Sequence, residues 1–360
     1  MCLWLLLAPS NVHRLFQRNN NLACRVQILK IWPMVVWDAI QAEPKPLKPP
    51  PRPLPVERTT FFQTPRRRLR RTNEAPITPS PPLFTDTPMS VEDKHAMVLD
   101  TIKRLSNVRE LHLYWRRHHT SSTANHPVWP LLAQTWPAIG PRLCSLFLDM
   151  PLAILAAFFN SFAPATGPAN LRQLEIVFSV DQSSVEKTED GINTLLSFIH
   201  DHSNTLESLS ITTYGHVDLS PFFRRLGSLP HLTTLSFTIP FDDQHISNPS
   251  TFNEVLINHP NLHSLAIQNR YSNCCGTWQL PATTDGASGR WVHQCFEGIN
   301  FAQLKEFKLG VNYLYEIQQH MMLAMKPICF ALSSLILTEP CLKWNGLTVV
   351  LRSLHPRHLK

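Results

Sequence analysis

The chain has 360 residues, of which 43 % are hydrophobic and 16 % charged, so it belongs with globular proteins and holds enough apolar material for one large domain or two ordinary ones. A formal charge of +7 brings nucleic acid or an acidic surface into view as a partner. The eight cysteines include no CxxC pair and read as reduced thiols of a cytoplasmic or nuclear protein, not as a disulfide framework.

The N-terminal run MCLWLLLAPS lacks a basic leader and stops at Pro9, so it is read as a buried helix segment and not as a signal peptide. The other strongly apolar run, PLAILAAFF at residues 151–159, is far shorter than the ~20 residues of a membrane span. It too reads as buried helix, and no membrane association is expected.

A recurring frame begins at RVQILKI, where Val26, Leu29 and Ile31 stand as apolar, two residues, apolar, one residue, apolar. Residues 43–91 then interrupt it. The stretch from Glu43 to Pro88 holds 13 of the 31 prolines, and its nine Lys/Arg against four Asp/Glu supply +5 of the net charge. Such a composition is expected to be disordered and partly polyproline II. Its run RRRLRR, with Arg66, Arg67, Arg68, Arg70 and Arg71, has the composition of a nuclear-localisation or nucleic-acid contact, or of a solvated basic loop. PLKPPPRPLP fits neither common SH3-ligand spacing cleanly.

Beyond the insertion, Val91, His95, Val98, Ile102 and Leu105 make one helical stripe. The frame then returns at Val108/Leu111/Leu113, Leu143/Leu146/Leu148, Leu171/Leu174/Ile176 and Leu206/Leu209/Ile211. It continues at Leu232/Leu235/Phe237, Leu262/Leu265/Ile267, Leu304/Phe307/Leu309 and Leu332/Leu335/Leu337. From Val108 the steps are 35, 28, 35, 26, 30, 42 and 28 residues, room for a strand, a helix and variable loops. Helical signals fill the gaps. Ile192, Leu195, Leu196 and Ile199 share a face, Ser220 precedes Pro221 as an N-cap, and Thr251 with Glu254 reads as a capping box.

An ordinary α/β sheet would also alternate strand and helix, but the shared frame favours stacked repeats. The expected fold is therefore an α/β leucine-rich-repeat-like solenoid, with a parallel strand ladder on the concave side and helices on the convex side. Residues 1–42 form a first helix and rung, 43–91 the insertion, and 92–360 the main solenoid. The inward Asn usual after such a frame is missing from nearly every rung, Asn312 being the exception. Both ends look uncapped, which predicts self-association.

Period-two alternation places Glu110, His112 and Tyr114 on the concave face, then Ser145, Phe147 and Asp149, then Gln173, Glu175 and Val177. Ser208, Ser210, Thr212, Thr234, Ser236 and Thr238 follow, then Ser264, Ala266 and Gln268. Acids and aromatics gather toward the N-terminal end, which is the wrong chemistry for a phosphate backbone. The expected protein-binding residues are Glu110, His112, Tyr114, Phe147, Asp149 and Glu175, with Tyr114 and Phe147 as anchors.

No phosphate-binding glycine loop, GxSxG elbow or HExxH pair is present, and no enzyme activity or cofactor is expected. Cys274, Cys275, His293 and Cys295 share one long loop, yet adjacent cysteines suit a tetrahedral metal site poorly, so no metal is assigned.

LFQRNNNLACRVQILKIWPMVVWDAI resembles the start of the repeat region in fungal, basidiomycete-type F-box/leucine-rich-repeat proteins. VWPLLAQTWPAIGPRLCSLFLDMPLA and LRQLEIVF are similar to later rungs of the same family. The resemblance implies the substrate-recognition half of a cullin-type ubiquitin-ligase adaptor, with ligase components among its partners. The F-box itself would precede residue 11, and LPVE at residues 54–57 is followed by no helical apolar period, so the F-box is expected to be missing. The expected function is non-enzymatic protein binding. The alternative is a nuclear or nucleic-acid-associated role through the basic insertion.

Overall fold

The computed structural model of the chain describes residues 2–5, 20–42, 89–115, 128–160, 168–179, 185–214, 217–239, 244–269, 287–299, 303–311 and 334–337. Ten parallel strands form one sheet in strict sequence order. They are β1 (Cys2–Leu5), β2 (Ile28–Ile31), β3 (Glu110–Tyr114), β4 (Ser145–Asp149) and β5 (Gln173–Ser179). After them come β6 (Ser208–Tyr214), β7 (Thr234–Thr238), β8 (Ser264–Asn269), β9 (Glu306–Val311) and β10 (Ser334–Leu337). Parallel neighbours need a crossover. Among the described residues the crossovers are one helical turn at Asn20–Ala23 before β2, then α1 (Pro33–Gln41) and α2 (Val91–Lys103) before β3, α3 (Val128–Ile139) before β4, and α4 (Leu152–Asn160) before β5. α5 (Val185–Asp201), α6 (Ser220–Leu226), α7 (Pro249–Ile257) and α8 (Ala287–Phe296) serve the strands that follow.

Register explains why the frame repeats. Leu29, Leu111, Leu146, Leu174, Leu209, Leu235, Leu265 and Phe307 stand side by side across the ladder. All are buried against the helix layer. The first apolar residue of each frame, such as Leu143, Leu171, Leu206 and Leu232, is buried in the turn that enters the strand. That turn extends the ladder by one bond. The carbonyl of Gln27 accepts from the amides of both Arg109 and Glu110, and the same double acceptance runs on through Arg109, Cys144, Arg172, Glu207, Thr233 and His263. The chain is an α/β leucine-rich-repeat-like solenoid.

Helix entry differs from the expectation in three places. Residues 2–5 of the N-terminal run are strand β1, with Leu3 opposite Leu29 and Leu5 opposite Ile31. A stretch of four apolar residues is too short to show a helical period, and the open edge of β2 offers it a ladder. Ser220 is the first residue of α6 and not its cap: Leu219 holds the N-cap position, and the Asp218 carboxylate just before it accepts from the Ser220 amide. α7 starts at Pro249 under Asn248, which accepts from Ser250, and Thr251 lies one turn inside. At both helix starts an Asp or Asn just upstream accepts a first-turn amide in place of the expected Ser or Thr.

The missing Asn ladder has a substitute at the helix ends. Lys94 of α2 donates to the carbonyls of Ile40 (3.0 Å) and Ala42 (2.7 Å) at the end of α1. His200 of α5 donates to Leu226 O of α6 at 2.9 Å, and Asn253 of α7 to Glu297 O beyond α8 at 2.8 Å. Each side chain satisfies carbonyls that a helix leaves without an internal partner. His259 joins a helix end to a strand entry: it donates to Val255 O and accepts the buried Leu229 amide at 3.0 Å.

Candidate functional site

The sheet face turned away from the helices carries the alternate residues of each strand. On β3 these are Glu110, His112 and Tyr114, each half-buried, while Leu111 and Leu113 are buried beneath them. The register sets His112 beside Phe147 and Phe147 beside Glu175, and sets Tyr114 beside Asp149. The six residues expected to bind protein therefore lie together on β3, β4 and β5.

Two further residues join them from β2. Lys30 pairs with His112 in register, and Trp32 follows the strand at the position equivalent to Tyr114. The Trp32 and Tyr114 rings stack at 4.6 Å and 14°. Tyr114 meets Phe147 at 5.0 Å, and Phe147 meets the His112 ring at 5.2 Å. Four rings thus form one continuous, partly exposed surface. The alternation that finds His112 and Tyr114 also reaches Lys30 and Trp32 when it is extended back across RVQILKIW; the apolar frame alone stops at Ile31.

Charge surrounds the rings. His112 Nε2 lies 3.7 Å from Glu110 Oε2, and His112 Nδ1 lies 3.4 Å from the Tyr114 hydroxyl. Burial and the Lys30 ammonium hold His112 below its ordinary histidine value, against the opposing pull of Glu110. The ring is therefore neutral near pH 7. Burial of the carboxyl raises Glu175, although the residue as a whole keeps substantial exposure at its place on the ladder. Among the described residues on this face of β2–β5, the carboxylates of Glu110, Asp149 and Glu175 stand with the ammonium of Lys30, in a chain whose total charge is +7.

Further along, the open face becomes small and uncharged, with Ser208, Ser210, Thr234, Ser236 and Ala266 half-exposed. Val177, Thr212 and Thr238 were expected on this face and are only 7–8 % exposed. Alternation fails there because the strand ends are enclosed on both sides: Phe178, Thr213 and Ile239, the next residues, are buried as well. At the opposite strand ends Arg172 pairs with Glu207 at 3.4 Å beside an open polar depression that His231 also lines.

Arg66, Arg67, Arg68, Arg70 and Arg71 lie outside the described residues, as do Cys274, Cys275 and Asn312. Of the cysteine–histidine group, Cys295 is a fully buried core side chain whose thiol is pushed well up by burial, and His293 is exposed. No described helix is long and apolar enough to cross a membrane.

No family model matches the sequence, and no curated protein matches it. Among solved structures the chain is similar to a protein from Bacteroides fragilis, at 14 % identity and a TM-score of 0.43, over 72 % of this chain and 68 % of that one. It is also similar to the leucine-rich repeat-containing protein LegL7 from Legionella pneumophila, at 13 % identity and a TM-score of 0.38, over 73 % and 78 % of the two chains. These likenesses concern fold alone, and the solenoid assignment stands on the ladder and its register.

Proposed function

We propose that the chain is a non-enzymatic, protein-binding solenoid whose recognition surface is the open face of β2–β5. The observation that carries this reading is the continuous aromatic surface of Trp32, Tyr114, Phe147 and His112, left partly exposed side by side on the open sheet face. Aromatic side chains anchor interfaces because they bury much area at low entropic cost. Carboxylates at the rim set which partners are admitted.

The resemblance of the first and middle rungs to F-box repeat proteins supports a narrower reading, in which this face holds the target of a cullin-type ligase in cytoplasm or nucleus. Affinity purification of the tagged full chain from its native cells, beside a Tyr114→Ala/Phe147→Ala variant, tests both. Partners held by the parent and lost by the variant support the open-face reading; identical sets from the two refute it. A cullin and its F-box-binding linker among the captured proteins support the adaptor reading, and their absence removes it. Nucleic-acid association through Arg66–Arg71 is the alternative. It would vanish with deletion of residues 43–91 and show a steep salt dependence.

A further inference from the structure

We propose that the entry edge of β2–β5, where the turns run into the strands, is a docking site for an acidic segment of a partner protein, held by Arg25, Arg109, Arg142 and Arg172. The row follows from the repeat. The first apolar residue of each frame is buried, and the residues on either side of it reach solvent. Val26 lies between Arg25 and Gln27, Val108 between Asn107 and Arg109, Leu143 between Arg142 and Cys144, and Leu171 between Asn170 and Arg172. Each of these successive rungs thus offers one arginine, and Arg25, Arg109, Arg142 and Arg172 are all exposed. The backbone bonds that link Gln27, Arg109, Cys144 and Arg172 set the rungs side by side. Neighbouring strands lie about 4.8 Å apart, so the row spans about 14 Å.

Little at this edge neutralises the row. The entry turns, residues 20–27, 104–109, 140–144 and 161–172, contain five arginines and no Asp or Glu. Arg104 is engaged by Asp100, one turn earlier on α2, at 2.8 Å. Among the described residues, Arg25 and Arg109 have no side-chain partner. Arg142 donates to the Ser106 carbonyl, a neutral group that leaves its charge uncompensated. Arg172 meets Glu207 at 3.4 Å, but both side chains are at least half exposed, and such a pair is weak. The next rung reverses the sign, with Asp201 and Glu207 leading into β6, so the basic row ends at β5. A guanidinium fork matches a carboxylate through two parallel hydrogen bonds. An extended segment of about five residues covers the length of the row. A nucleic-acid backbone would carry its charge on past the row and onto Glu207. The row also adjoins the open face, since Arg109 and Arg172 directly precede Glu110 and Gln173. A protein seated on that face therefore reaches the row, although the row uses none of its rings.

The test is fluorescence polarisation at low ionic strength with a fluorescein-labelled glycine–serine peptide carrying glutamates, beside its twin with glutamine at those positions. The host is the full chain with Arg66, Arg67, Arg68, Arg70 and Arg71 changed to glutamine, so that the basic run cannot supply the binding. The glutamate peptide is expected to bind roughly tenfold more tightly, and added salt is expected to erase the difference. Adding Arg25→Gln and Arg109→Gln, changes at exposed side chains without partners that leave the fold in place, is expected to abolish the preference. Tyr114→Ala/Phe147→Ala is expected to keep it, so the failure of this inference and the failure of the open-face reading are told apart. Equal binding of the two peptides, or binding of neither, overturns the proposal. So does a preference that survives the loss of Arg25 and Arg109, or one that disappears with the two rings. A thymidine oligonucleotide that binds the host more tightly than the glutamate peptide, and loses that binding with Arg25 and Arg109, overturns the protein partner and assigns the edge to nucleic acid.

Discussion

Phe252→Ala should disable the molecule locally. Phe252 is fully buried on α7, and its ring meets Phe223 of α6 at 5.2 Å, Phe237 of β7 at 5.6 Å and Phe296 of α8 at 6.0 Å. It therefore joins three successive rungs. Truncating a buried Phe costs about 3–5 kcal/mol, and losing edge-to-face partners keeps the figure toward the upper end. That is a large part of the ~5–15 kcal/mol that holds a typical domain together. In a solenoid each rung contacts its neighbours only, so the loss should stay near its source. Hydrogen exchange read by mass spectrometry should show amide protection in β7, β8 and β9 falling by roughly two to three orders of magnitude, with β3 and β4 changed less than about tenfold. An equal loss of protection in every rung would refute the nearest-neighbour account, and so would an unchanged β7–β9.

Gly191→Ala should destabilise by about 1–3 kcal/mol in a thermal melt, because an added Cβ would sit 2.6 Å from Leu152 Cγ and 2.9 Å from the Leu152 carbonyl where α5 crosses α4. This outweighs the roughly 1 kcal/mol that alanine normally gains over glycine inside a helix. Burial holds His259, His202 and His112 below the ordinary histidine value of 6.5, so the unfolded chain takes up protons before the folded one does. Stability should be full above pH 6.5 and decline as the pH falls below it, and His259→Gln should flatten that slope in pH-dependent denaturant melts. Asp218→Ala should cost about 1–3 kcal/mol, since Asp218 accepts from the Ser220 and Ser247 amides and the Ser247 hydroxyl. Burial raises the Asp218 carboxyl, but hydrogen bonds from Ser247 and Ser220 outweigh it and hold it below 3.8. Its contribution is therefore complete above that pH and is lost in stronger acid, a second window separable from the histidine one in the same titration.

The rungs were legible because each strand reports on one neighbour through a period of two, and a row of Leu at one register position is hard to produce by chance. Residues gathered on one face were legible for the same reason: His112, Phe147 and Glu175 are far apart in sequence and adjacent on the ladder. Trp32 and Lys30 escaped because the apolar frame ends before Trp32, although the pleat does not. β1 escaped because four residues of strand beside Pro9 leave too short a pattern to separate from helix. The long-range polar contacts left no local trace. His200, Asn253 and Lys94 look like ordinary surface residues of their helices until the neighbouring helix end is in place. Gly191 likewise reads as a weak point in a helix, and only the approach of Leu152 shows why no side chain fits.

Lys94 grips the last carbonyls of α1 on one side of the insertion while belonging to the first turn of α2 on the other, so the chain leaves the solenoid and re-enters it at nearly the same point. Between those points β2 and β3 are already bonded to each other along their length. A protease cut anywhere in residues 43–88 would sever the polypeptide without separating its halves. The two fragments should migrate as one species on a sizing column and as two in detergent. Lengthening or shortening the stretch between those points should leave the registration of the rungs on either side unchanged.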